Sequence, residues 1–125
     1  MPSLRKPIPE HVHDRDEAAH VWLLNAPVIT ADGLFRSRTL CLNEARALVQ
    51  AGGFFSAIGH AQTAAIVSDL LGIDCPMNRC EFRQGPGQHA LVFCLARRLE
   101  EGQVLHDRKD IERVGYRFML ITREA

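Results

Sequence analysis

The sequence predicts one α/β domain built on a mixed, mostly parallel sheet of about five strands flanked by helices. Short apolar runs alternate with stretches of helical periodicity through the first half of the chain, the pattern of a sheet with helices packed on it. A chain of 125 residues that is 46% hydrophobic can bury one core and is too short for two ordinary domains. The domain is expected over residues 20–125. Residues 1–19 carry three prolines, alternating charges and little apolar periodicity, and read as an N-terminal extension.

Val21 to Ala26 (VWLLNA) is a continuous apolar run ended by Asn25 and Pro27, which suits a buried strand. Ala31, Asp32 and Gly33 mark a turn. Arg38 to Leu42 follows as a second strand. From Asn43 to Gln50 the spacing is helical, with Ala45, Leu48 and Val49 on one face, and Gly52 and Gly53 stop the helix. Cys41 stands where Ser or Thr would form a capping box with Glu44, so a weak cap is expected. Phe54 to Ile58 is a strand that Gly59-His60 turns directly into a helix from Ala61 to Leu71, closed by Gly72. Strands at Arg79 to Arg83 and Ala90 to Ala96 flank a hairpin-like connection, Gln84-Gly85-Pro86-Gly87-Gln88. A short polar helix near Asp107 to Arg113 precedes a last strand, Tyr116 to Thr122.

Charge and cysteine usage narrow the function. With 15 basic and 15 acidic residues the chain has no general field for coating duplex nucleic acid, whereas a small anionic ligand needs only a few converging donors. The basic residues are nearly all arginine, which suits bidentate phosphate contacts. No apolar run reaches the ~18 residues of a bilayer span, and no secretory signal precedes the four cysteines, so a cytoplasmic protein with reduced thiols and no membrane partner is expected. Neither Cys75 and Cys80 nor the scattered histidines reproduce a paired zinc-ligand spacing. No metal and no cofactor are therefore expected.

Three places can carry chemistry. Gly59-His60 sets an imidazole, whose proton comes and goes near neutral pH, beside the unpaired N–H groups of a helix start, where phosphate is attracted. The run Arg97 to Gly102, in which one arginine could clamp a phosphate beside a carboxylate, follows an apolar strand at the end where ligands of open α/β sheets gather. Asn25 closes the first strand, and Asn78-Arg79 opens another; an amide and a guanidinium there can meet a phosphate or a base edge. Taken singly, each also serves as a cap, a solvated ion pair or a turn, and spacing alone leaves both readings open.

Together, the segments LLNAPVIT (23–30), SAIGHAQTAAIVSDLLG (56–72), NRCEF (78–82) and RLEEGQVL (98–105) resemble the viral-type ring nucleases, type III anti-CRISPR enzymes of crenarchaeal viruses that also occur in bacteria. The resemblance runs from Leu23 to about Thr122. It implies a homodimer whose central pocket takes cyclic tetra-adenylate, the messenger of type III CRISPR complexes, and opens it without metal. In that reaction a ribose 2′-hydroxyl attacks the adjoining phosphate, leaving linear oligoadenylates with 2′,3′-cyclic phosphate ends. Carried over by position, His60 protonates the departing 5′ oxygen, Arg98 holds the scissile phosphate and Glu101 orients the site. Asn25, Arg79, Gly59 and Thr30 fall to ligand binding. Viral members have a serine where this chain has Val28, with Thr30 the nearest hydroxyl, and Arg97 replaces a glutamine common in the family. The alternatives are a module that sequesters the cyclic nucleotide uncut and a small regulatory domain that binds a protein partner.

Overall fold

A computed structural model describes residues 20–96 and 108–125. In chain order the elements are β1 (Val21–Leu24), β2 (Phe35–Leu40), α1 (Leu42–Gly52), β3 (Phe54–Ser56), α2 (Ala61–Leu71), β4 (His89–Leu95), α3 (Arg108–Val114) and β5 (Tyr116–Arg123). The five strands form one sheet in the order β2-β5-β4-β1-β3. β1 runs parallel to both β3 and β4, while β5 runs antiparallel to β4 and β2. Parallel and antiparallel neighbours are thus equal in number, where a mostly parallel sheet was expected. Periodicity fixes the face a side chain takes and says nothing of the direction in which its strand runs.

Alternation along the strands divides the core in two. Val21, Leu23, Leu40, Leu91, Phe93 and Phe118 face one way and meet Ala45 and Val49 of α1, Val67, Leu70 and Leu71 of α2, and Ile111 and Val114 of α3. These helices all cover that single face. Val67, Leu70 and Leu71 are fully buried, and burial of each such side chain contributes about 1.5–3 kcal/mol. The opposite face carries Leu24, Ala90, Val92 and Ile121, covered in part by Ala57, Val28 and Phe82 from the connecting loops.

Helix ends follow local chemistry. At the start of α1 the backbone N–H of Cys41 donates to the Glu44 carboxylate at 2.9 Å, so the carboxylate half of a capping box forms although sulfur replaces oxygen in the other half. That N–H, foremost, holds the Glu44 carboxyl below its usual range. Gly72 ends α2 in the left-handed region at φ 68°, a conformation that costs any residue with a Cβ.

The expected strand at Arg79 to Arg83 is absent; the segment is irregular. It lies beyond Pro76, and just before it the Asn78 N–H donates to Ile58 O, past the end of β3, at 2.8 Å. Without that strand, residues 84–88 are not a hairpin. Their turn docks on β5 instead, through Gln84 Nε2 donating to Ile121 O and the Gly87 N–H donating to Arg123 O.

Candidate functional site

Two parallel neighbours, β1 and β3, send their continuations to opposite sides of the sheet. After Leu24 the chain swings to the face opposite the described helices, where Val28 packs against the cluster that includes Leu24 and Phe82; after Ser56 the chain leads to α2 on the helix face. Such a divergence leaves a crevice beyond the carboxyl ends of the strands, the place where open α/β sheets take ligands. Here it is a cleft of about 420 Å³, lined by Leu24, Asn25, Ala26, Val28 and Thr30 from the first loop, Ala57, Gly59 and His60 from the second, and Arg79 to Phe82 from the segment beside β3. Its volume lies within the range of small-ligand sites.

His60 is the N-cap residue of α2, with extended backbone (φ −128°, ψ 126°) and its carbonyl accepting the Ala64 N–H at 3.0 Å. Its side chain makes no capping bond and is exposed to the cleft. The first N–H groups of α2 lack intrahelical acceptors, so the floor beside His60 carries the positive end of the helix dipole. Arg79 lies across the preceding turn: its guanidinium donates to Gly59 O at 3.2 Å, and a Cβ added at Gly59 would meet the Arg79 stem at 3.7 Å, an ordinary contact. Gly59 therefore matters less for space than for the close passage of its peptide beneath the arginine. Asn25, half-buried at the end of β1, closes the far wall with Thr30.

Of the seven residues singled out by sequence, Asn25, Thr30, Gly59, His60 and Arg79 thus border one cleft. Arg98 and Glu101 lie outside the described residues. Sequence reasoning missed Glu81, which stands in the cleft wall and pairs with Arg83 at 2.6 Å, both side chains largely exposed. Only its place two residues after Arg79, which in the strand expected there would put both on one side, could have signalled it. Val28 brings no hydroxyl to the wall; it packs in the apolar cluster with Leu24, Ala57 and Phe82. Among the described residues no group of three or more His, Cys, Asp or Glu is placed to hold a metal ion, and no helix is long and apolar enough to cross a membrane.

Known proteins are similar to this chain in sequence, and one solved structure in fold. The STIV B116-like family model matches residues 21–118. YddF of Bacillus subtilis (strain 168) is 36% identical over 105 residues, covering 82% of this chain and 96% of that protein. ORF117 of Acidianus two-tailed virus is 37% identical over 108 residues, with 82% and 92% covered. Protein 26 of Sulfolobus islandicus filamentous virus is 32% identical over 87 residues, with 70% and 74% covered. The structure of B116 of Sulfolobus turreted icosahedral virus superposes with a TM-score of 0.64 at 26% identity, over 82% of this chain and 98% of that one. The names of these relatives state no activity. With the family model spanning most of the domain and relatives this similar over most of their length, the chain belongs to the STIV B116-like family.

Proposed function

We propose that this protein is a metal-independent ring nuclease that binds a cyclic oligoadenylate, cyclic tetra-adenylate first among them, and cuts it with His60 as general acid. The observation that carries the reading is the convergence of His60, Arg79 and Asn25 on one cleft at the start of α2. Imidazole, guanidinium and amide, beside a helix N-terminus, form a set suited to a phosphodiester and not to an apolar or cationic ligand. The resemblance of the segments bearing these residues to the ring nucleases supplies the substrate class.

The chemistry balances without a co-reactant. The 2′-hydroxyl oxygen bonds to phosphorus as the bond to the 5′ oxygen breaks, the hydroxyl proton passes to solvent, and His60 gives its proton to the leaving oxygen. A 2′,3′-cyclic phosphate and a free 5′-hydroxyl result. General acid catalysis of this kind contributes roughly 10²- to 10⁴-fold, and alignment of the 2′-hydroxyl adds more. Arg98 would hold the phosphate and Glu101 orient the attack, roles that rest on the sequence resemblance. One cleft has room for a nucleotide-sized group rather than a ring of four, so the ring is read as lying across the two-fold axis of a homodimer, one half in each subunit.

One observation favours a second reading. Val28 places an apolar side chain where viral ring nucleases have a serine, which suits a module that holds the ring uncut. Incubating the protein in excess chelator with cyclic oligoadenylates of several ring sizes separates the two. Linear products ending in cyclic phosphate support the nuclease, tight binding with intact ligand supports sequestration, and no binding at any ring size overturns both.

A further inference from the structure

Beside the end of β3, the segment from Cys75 to Arg79 makes one backbone bond of the kind a parallel ladder would continue. Ile58 O accepts the Asn78 N–H at 2.8 Å. Two residues earlier, Ser56 O points the same way and in a parallel ladder would accept the N–H of residue 76. That residue is proline and has none. The Asn78 side chain fills the gap: its Nδ2 donates to Ser56 O at 2.7 Å. The companion rung is also completed by a side chain, since the Ser56 hydroxyl accepts the Ile58 N–H at 3.3 Å and donates to Pro76 O at 2.6 Å.

Asn78 therefore grips the Ser56 and Ile58 carbonyls ahead of the Gly59-His60 turn, and the next residue, Arg79, reaches the Gly59 carbonyl. We infer that Asn78 is a positioning residue: by standing in for the missing N–H of Pro76, it fixes where His60 sits relative to Arg79 in the cleft. A carbonyl left unpaired here would free the turn, and a displacement of the acid by about 1 Å can cost on the order of 10²-fold in rate. The activity readout below rests on the ring nuclease reading; the spectroscopic one does not.

The test compares wild-type full-length chain with Asn78→Asp, nearly isosteric but without a donor when ionised, and Asn78→Ala. In wild type, the Asn78 side-chain amide, exposed like that of Asn43 but bonded to Ser56 O, is expected to exchange with solvent several-fold more slowly than that of Asn43 by NMR. Both variants should displace the backbone amide resonances of Gly59 and His60 and lower kcat on cyclic tetra-adenylate about tenfold or more, with Kd changed less than about threefold. In Asn78→Asp the two resonances should return towards wild type as pH falls through about 4, where the neutral acid regains a donor. An Asn78 amide exchanging as fast as that of Asn43 overturns the assignment whether or not the variants fold. So do wild-type resonances at Gly59 and His60 in both folded variants, or unchanged kcat in a protein that cleaves. If wild type does not cleave at all, the nuclease reading fails and the resonances alone decide the role of Asn78.

Discussion

Arg79 donates a hydrogen bond from its guanidinium to the Gly59 carbonyl at 3.2 Å, one peptide before His60. This contact ties the cation of the cleft to the turn that carries the imidazole. A guanidinium has further donors in the same plane, so one N–H can hold the turn while others meet a phosphate.

Arg79→Ala is therefore expected to weaken ligand binding more than turnover. Hydrogen bonds to charged groups contribute about 1.5–3 kcal/mol, which corresponds to a rise in Kd of roughly 10- to 150-fold. Titration calorimetry with cyclic tetra-adenylate measures it. Arg79→Lys should recover only part of the loss, because an ammonium cannot span both partners.

Val28→Ser restores the hydroxyl of the viral ring nucleases. It is expected to raise the cleavage rate several-fold and to lower stability by about 1 kcal/mol, since Val28 is half-buried against the cluster that includes Leu24 and Phe82. Rate and denaturant midpoint, measured together, check the two effects; an unchanged rate would remove that position from the chemistry.

Cys75 is buried, whereas Cys41 and Cys80 are exposed. Burial, opposed by the Ser56 hydroxyl and reinforced by the Asp74 charge, pushes the Cys75 thiol above its usual range. A group raised in this way stabilises the fold below the unfolded thiol value, about 8.5, and that contribution is lost as pH rises beyond it. Alkylation at neutral pH, followed by mass spectrometry, should modify Cys41 and Cys80 before Cys75. Stability should fall above pH ~8.5, and less steeply in Cys75→Ala.

Glu44 gives the opposite limb. Its carboxyl is held low first by the Cys41 N–H, with Arg38 adding to the effect. Its contribution is present above the unfolded value of about 4.3 and is lost as pH falls through the lower folded value. Stability should therefore fall as pH drops below about 4.3, and Glu44→Gln, which has no carboxylate to lose, should flatten that part of the profile.

Leu70→Ala probes the core under the site. Leu70 is fully buried between α2 and the sheet, and truncation is expected to cost about 2–5 kcal/mol in urea unfolding.

The boundaries of α2 were legible because two strong local signals frame it, a turn at Gly59-His60 and a left-handed glycine at 72. The meeting of Asn25, Thr30, His60 and Arg79 was legible only through motif order, since nothing in periodicity says that residues 25 and 60 end neighbouring parallel strands. The segment from Arg79 to Arg83 misled because its alternation suits a strand while Pro76, three residues upstream, removes the donor that would start the ladder. Glu81 escaped notice because a carboxylate in a surface-like run looks solvated until the opposite wall is known.

The most direct test of His60 as the acid is single-turnover cleavage of cyclic tetra-adenylate in excess chelator by wild type and His60→Ala, with ligand Kd measured on the same samples. The expected result is a rate lowered by roughly 10²- to 10⁴-fold with Kd nearly unchanged. Cleavage by His60→Ala at the wild-type rate would contradict it.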